Sequence, residues 1–291
     1  MKISAMSKVN LGLDVLRRRD DGYHEVRMIM QTLKLCDELY FEETQKKEIR
    51  IVCNSENLEC DENNLIYKAA RLIMDEAGID RGLDIRLKKN IPIAAGMAGG
   101  SSDAAATLVV LNKMFGIDFD IAKLKEMGVK IGADVPYCIE GGTQLSEGIG
   151  EKLTRLKDAP QCFVVVAKPH IGVSTKYVYE NLHVETIKTH PNIDAMLKGI
   201  DAGDLIEISS HMENILENVT EKKYPVIAML KSKLKSMGAL NSLMSGSGPT
   251  VFALFDEKDK ADKACEAVLD TGEVAFGCVT QFSDRTCIIE E

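Results

Sequence analysis

The sequence predicts an α+β chain of two domains, and three observations predict it. A strand, a glycine-rich loop and a helix follow one another at 83–115. Near 156–160 the composition shifts to Lys, Asp, Ala and Pro, just before a buried strand at 162–167. That shift divides the chain into 1–157 and 158–291. The second part closes on a helix at 258–269 and a strand at 274–282, a βαβ-like ending. With 291 residues the chain can bury one large core or two ordinary ones.

Each element has its own signal. In the first strand Val9, Leu11, Leu13 and Val15 alternate with Lys8, Asn10, Gly12 and Asp14, so the apolar set shares one face. Asp20-Asp21-Gly22 reads as a hairpin turn. Further strands are expected at 28–35, 39–42 and 48–53. Residues 65–77 form a helix whose apolar face carries Leu65, Ala69, Leu72, Ile73 and Ala77. Asn63 or Asn64 caps it and Gly78 ends it. Leu83, Ile85 and Leu87 alternate with Asp84, Arg86 and Lys88, a strand period. A helix follows from Asp103 to near Gly116. Asp120 caps another to about Lys130, and Gly132-Ala133-Asp134-Val135-Pro136 makes a sharp break. Beyond the boundary, helices are expected at 174–182, 192–199, 202–216 and 224–237. A loop at 243–250 runs into a further strand.

Composition excludes several classes. The net charge of −9 argues against a nucleic-acid binder, which needs surplus Lys and Arg. A small anionic substrate needs only a local pocket rich in N–H groups, and stays open. No apolar stretch approaches the roughly 20 residues of a membrane span. The chain opens Met-Lys-Ile-Ser and passes straight into a strand, so no leader is expected. Its eight Cys form no C-x-x-C pair and fall mostly in apolar runs, which reads as reduced thiols in a cytoplasmic protein.

The chemistry starts at Pro92-Ile-Ala-Ala-Gly-Met-Ala-Gly-Gly-Ser-Ser102. From Gly96 to Ser102 the run offers bare backbone N–H groups and two hydroxyls, which suits an anionic phosphate. A strand before it and a helix after it place the run at a helix N-terminus, where the dipole adds to the attraction. It is not a P-loop, since no Lys-Ser or Lys-Thr follows the glycines, and no Gly-x-Gly-x-x-Gly is present. A flexible linker is the plain alternative, but linkers seldom join a clean strand to a clean helix.

The spacing Pro-x-x-x-Gly-Met-Ala-Gly-Gly-Ser-Ser resembles the phosphate loop of the GHMP kinase superfamily. Three further segments match in order: Ser7-Lys8-Val9-Asn10-Leu11-Gly12-Leu13, Gly132-Ala133-Asp134-Val135-Pro136 and Ser245-Gly246-Ser247-Gly248-Pro249-Thr250. The resemblance implies the two-domain α+β GHMP fold, with an N-terminal mixed sheet and a C-terminal ferredoxin-like domain. It implies ATP with Mg2+. It places Pro92, Ala94, Ala95, Gly96, Met97, Ala98, Gly99, Gly100, Ser101 and Ser102 around the phosphates, and Asn64 and Leu65 beside the adenine. For the last two, helix cap and core serve equally well. Asp21-Gly22-Tyr23-His24-Glu25, with Leu39 and the helix start at 61–66, narrows the likeness. It is similar to the branch that phosphorylates the 2-hydroxyl of a cytidine-diphosphate-linked methylerythritol in non-mevalonate isoprenoid precursor synthesis.

The roles carried over make chemical sense. Phosphoryl transfer to an alcohol needs a proton acceptor at the hydroxyl and cations near the phosphates. Asp134 is the candidate base; alone, an Asp before Val-Pro reads as a turn or cap residue. Lys8 is the candidate cation beside it, although a Lys in a strand pattern commonly marks a solvated face. Asn10, two positions on, faces the same way and suits the substrate's erythritol hydroxyls. Tyr23 supplies a π-face for cytosine and His24 polar atoms for its edge. The family places a second aromatic across the base, which the alignment gives as Tyr179, with Tyr177 close enough to compete. Lys88, Lys89 and Asn90 stand just before the loop and reach toward nucleotide phosphates, or are simply solvated. His170, His183, His190 and His211 show no partner pattern. No Asp/Glu pair announces a metal cage, and magnesium that leans on phosphates and water needs none. Two other classes remain: a sister kinase of another small alcohol, which has no use for Tyr23-His24, and a nucleotide-binding regulator, which has no use for Lys8 and Asp134. A metal-dependent redox or hydrolytic enzyme lacks ligands.

Overall fold

The first strand sets the frame. In the computed structural model, which describes residues 1–290, β1 (Lys2–Arg18) pairs antiparallel with β2 (His24–Thr44) through a hairpin turned at Gly22. Next come β3 (Ile49–Cys53), α1 (Leu65–Glu76), β4 (Gly82–Lys88), α2 (Gly99–Met114), α3 (Ile121–Ile131), α4 (Val135–Glu140), β5 (Thr143–Gly148) and β6 (Lys152–Arg155). Asn64 caps α1 by accepting the Ile66 N–H, and Asp120 caps α3 by accepting that of Lys123.

A second sheet begins with β7 (Phe163–Pro169). Then follow α5 (Thr175–Glu180), α6 (Ile193–Ala202), α7 (Leu205–Ser210), α8 (Glu217–Lys223), α9 (Val226–Ser236), β8 (Asn241–Met244), β9 (Val251–Phe255), α10 (Lys258–Leu269) and β10 (Val274–Gln281). The four strands lie in the order β10-β7-β9-β8, all antiparallel, the ferredoxin-like arrangement. The last strand, β11 (Cys287–Glu290), returns to the first sheet and pairs with β1. That sheet runs β11-β1-β2-β4-β3, with β5 also on β2 and β6 on β5; only β3 and β4 are parallel. Among the described residues no helix is long and apolar enough to cross a membrane.

Three expectations need correction, and one alternative falls. Residues 28–35 and 39–42 are not two strands but one, β2. Its register against β1 jumps between the pairs Lys8–Thr32 and Met6–Cys36, so the irregular stretch at 33–35 mimics a break. Val9 and Leu11 do not share a cluster with Leu13 and Val15: a bulge between Asn10 and Gly12 turns the strand over, and the two pairs enter different apolar clusters. The plain alternative for Lys8, a solvated strand face, does not hold, since Lys8 is buried along with Asn10 and Asp14. The helix expected at 202–216 stops at Ser210; residues 213–215 leave it to bond Leu13 of β1.

Candidate active site

The glycine-rich run between β4 and α2 is shaped by its backbone. Ala94, Gly96 and Ala98 all adopt positive φ, of 50°, 72° and 56°. Such alternation turns successive N–H groups into one concavity, and non-glycine residues held there mark stored strain. Helix α2 starts at Gly99 with no side-chain cap and no acid in its first turn, so its free N–H groups face that concavity. Glycine is required at 96: a Cβ there would lie 2.3 Å from the Ser245 carbonyl oxygen. The register jump of β1 between Met6 and Lys8 contributes too: there Lys8 donates its N–H to the Met97 carbonyl of the loop at 3.1 Å.

On one side of the loop lies a cavity of about 550 Å³. Asn64, Leu65, Pro92 and the run from Ala94 to Ser101 line it. Ser102 does not: it is buried, and its hydroxyl donates to the Met6 carbonyl at 2.7 Å. Helix geometry explains this, since side chains at 101 and 102 point about 100° apart. Asn64 combines cap and lining, for its amide also holds the Glu59 carbonyl at 2.7 Å. Lys89 lines the cavity, whereas Lys88 points away into an ion pair with Glu38.

On the other side a cavity of about 850 Å³ holds Lys8, Asn10, Tyr23, His24, Asp134 and Tyr179. The Lys8 ammonium donates to Asn10 Oδ1 at 2.8 Å and stands 3.7 Å from Asp134 Oδ2. Asp134 opens α4 without using its carboxylate as a cap, so that carboxylate is free for chemistry. Asn10 in turn donates to Met28 Sδ. At the far end the His24 and Tyr179 rings lie 5.1 Å apart, with Tyr23 61% exposed at the mouth. Burial, then the Arg18 charge, lower the His24 pKa, so its imidazole is neutral near pH 7 and offers one donor and one acceptor. Burial pushes the Tyr179 hydroxyl up to about 12. Tyr177 goes elsewhere, with Lys223 over its ring.

Gly96, Ala98 and Ser101 line both cavities, so the glycine-rich loop is their shared wall. Sequence reasoning missed some neighbours. Thr175 and Ser247 bond each other at 2.8 Å and line the larger cavity; Ser247 lies within the 245–250 segment already singled out. Asn57, Leu58 and Glu59 line the smaller one from an irregular loop with no motif. His190, expected to lack a partner, bonds Asp14 at 2.8 Å. Its partner lies on β1, far away in sequence.

Comparison with known proteins agrees with this architecture. The family models for the GHMP kinases N terminal domain and the GHMP kinases C terminal match residues 64–142 and 196–274. A 4-diphosphocytidyl-2-C-methyl-D-erythritol kinase of Lachnoclostridium phytofermentans is 52% identical over 264 residues, 91% of each chain. One of Clostridium perfringens is 50% identical over 266 residues, 91% of this chain and 92% of that one. A crystal structure of a 4-(cytidine 5'-diphospho)-2C-methyl-D-erythritol kinase superposes with a TM-score of 0.83 at 31% identity, covering 97% of this chain and 99% of the other. A homoserine kinase from Cytophaga hutchinsonii shares the fold, with a TM-score of 0.79 at 20% identity over 100% and 97%. With GHMP domains in both halves and such identity along nearly its whole length, the chain belongs to the 4-diphosphocytidyl-2-C-methyl-D-erythritol kinase family of the GHMP kinases.

Proposed function

We propose that this chain transfers the γ-phosphoryl group of ATP to the 2-hydroxyl of 4-diphosphocytidyl-2-C-methyl-D-erythritol, a step in non-mevalonate isoprenoid precursor synthesis. The observation that supports the site assignment is the shared wall: two cavities meet at the glycine-rich loop, and the larger one brings Lys8, Asp134 and the His24–Tyr179 ring pair together. In this reading ATP occupies the smaller cavity with adenine toward Asn64 and Leu65. Its phosphates lie on the N–H groups from Gly96 to Ser101. The cytosine lies among Tyr23, His24 and Tyr179, and Asn10 orients the erythritol chain. The 2-hydroxyl oxygen attacks the γ-phosphorus, ADP leaves, and Asp134 takes the hydroxyl proton. Lys8 stabilises charge building on the attacking oxygen.

Mg2+ would be held chiefly by the nucleotide phosphates and water and would neutralise phosphate charge. We take residues 1–157 and 158–291 as the two domains; the change of sheet between Arg155 and Phe163 supports that division. The eight free cysteines suit a cytoplasmic enzyme.

The test is substrate choice. With ATP, phosphorus NMR should show phosphorylation of the cytidylyl substrate and none of mevalonate or homoserine. Turnover of either of those, with the cytidylyl compound untouched, overturns the assignment. Calorimetry should also show cytidine diphosphate binding to protein already saturated with a non-hydrolysable ATP analogue.

A further inference from the structure

Beneath the phosphate loop one buried ammonium serves two buried carboxylates. Lys89 Nζ donates to Asp37 Oδ2 at 2.5 Å and to Asp103 Oδ2 at 2.7 Å. The side chains of Lys89, Asp37 and Asp103 are 6%, 0% and 3% exposed. The two acids are not equivalent. Asp37 Oδ1 accepts the backbone N–H groups of Asn90 at 2.6 Å and Ile91 at 2.8 Å, so three donors support its negative charge. Asp103 Oδ1 has no partner at all. A buried ionised carboxylate with one oxygen lacking any donor is costly, and protonation removes its charge and with it most of that cost. Lys89 and Asp103 both line the smaller cavity, and Lys89 Nζ lies so near the loop that a Cβ on Gly99 would sit 3.0 Å from it.

We propose that Asp103 stands beneath the phosphate loop as a neutral carboxylic acid, positions the Lys89 ammonium against that loop, and couples ATP binding to proton uptake. This rests on the reading of the smaller cavity as the ATP site. With both acids ionised the cluster carries a net negative charge under a loop that must receive a polyanion. With Asp103 protonated, Lys89 and Asp37 form a neutral pair and the repulsion is gone. ATP therefore favours the protonated form, and protein in which Asp103 has ionised must take one proton from solvent as ATP binds. The other groups facing Asp103 do not compete for that proton. Burial opposes the Lys89 charge, but the two carboxylates keep its pKa above the ordinary lysine value. On β11 the Cys287 thiol is pushed up to about 12 by burial. For Asp103 itself, burial and then the Asp37 charge outweigh the pull of Lys89 and raise its pKa to about 8.

The experiment is titration calorimetry of the full chain with magnesium-saturated non-hydrolysable ATP analogue. It is run at about pH 7, 8 and 9, in two buffers of different ionisation heat. Proton uptake per nucleotide should rise from near zero to a value approaching one. Affinity should fall above pH 8 by up to ~tenfold per pH unit, the limit for one proton. Asp103→Asn imitates the neutral acid in shape, and in it both uptake and pH dependence should vanish. Infrared difference spectra of the unmutated protein give a readout independent of that variant: a protonated-carboxyl band should disappear as pH rises through 8 and return when nucleotide is added. Nucleotide binding without proton uptake overturns the proposal alone, as does uptake that persists in Asp103→Asn. No nucleotide binding at any pH overturns both the proposal and the ATP-site reading.

Discussion

Lys8 on β1 and Asp134 at the start of α4 are far apart in sequence, and their chemistry depends on a 3.7 Å approach. If Asp134 is the base, Asp134→Asn should lower turnover by roughly 10²–10⁴-fold while ATP binding stays largely intact. Lys8→Ala should lower it too. The double variant should be little worse than the worse single one, because groups that act as a unit are not additive; steady-state kinetics on the four proteins would show losses that multiply if they act separately. At the cytosine end, Tyr179→Ala should weaken binding of cytidine diphosphate by roughly 1–3 kcal/mol, the range for an aromatic platform under a base. Calorimetry measures this, and unchanged affinity would remove Tyr179 from the clamp. Asp103 makes a prediction about stability. Its folded pKa, about 8, lies above the ordinary value of 3.8, so the native state keeps a proton that the unfolded chain gives up. That contribution is complete below pH about 4 and is lost as pH rises through about 8. Denaturant unfolding should show Asp103→Asn gaining on the unmutated protein across this window.

The phosphate loop and β1 are elements whose function lies in their irregularity. A regular loop would not alternate positive φ at Ala94, Gly96 and Ala98, and a regular β1 would not free the Lys8 N–H for Met97. Gly96→Ala would set a Cβ 2.3 Å from the Ser245 carbonyl at a φ of 72°, so the loop must move. Gly99→Val would press on Lys89 Nζ and Ile91, both 3.0–3.1 Å from the first carbon alone. Both variants should keep the far-ultraviolet dichroism of the parent and lose ATP affinity. A Gly99→Val protein that binds nucleotide at parental affinity would show that the helix start does not hold phosphate.

At the scale of the molecule, the two sheets are laced together at the site. Ser245, from the turn after β8, donates its hydroxyl to the Gly96 carbonyl at 2.8 Å, and Asn214 holds the Met244 and Gly246 carbonyls at 2.8 Å each. Strand β11 ties the end of the chain to β1 through the pairs from Lys2–Glu290 to Ala5–Cys287. Truncation after residue 283 would uncover that edge of β1 and remove Thr286, which accepts the Met6 N–H at its carbonyl. Thermal unfolding should show a lower midpoint, and turnover should fall with it because Met6 lies two residues from Lys8.

The sequence by itself determined what is local. Four short segments in order picked out the glycine-rich loop, Lys8, Asp134 and the second glycine turn, which the fold brings around two adjoining cavities, and helix caps such as Asn64 and Asp120 were legible because a cap needs only its own few residues. Tertiary structure decided whatever depends on distant partners. β2 reads as two strands until its pairing with β1, β4 and β5 is known, since a register jump has no signature in one strand alone. The sequence favours Tyr179 but leaves Tyr177 close enough to compete; the turn of α5 sends Tyr179 to His24 and Tyr177 to Lys223. By sequence alone Asp103 looks like any acid near the start of a helix. Its character comes from Asp37, 66 positions earlier, and Lys89, which meet it in one small buried volume. Electrostatic energies in such a place depend on burial and separation, and neither is written in the order of residues.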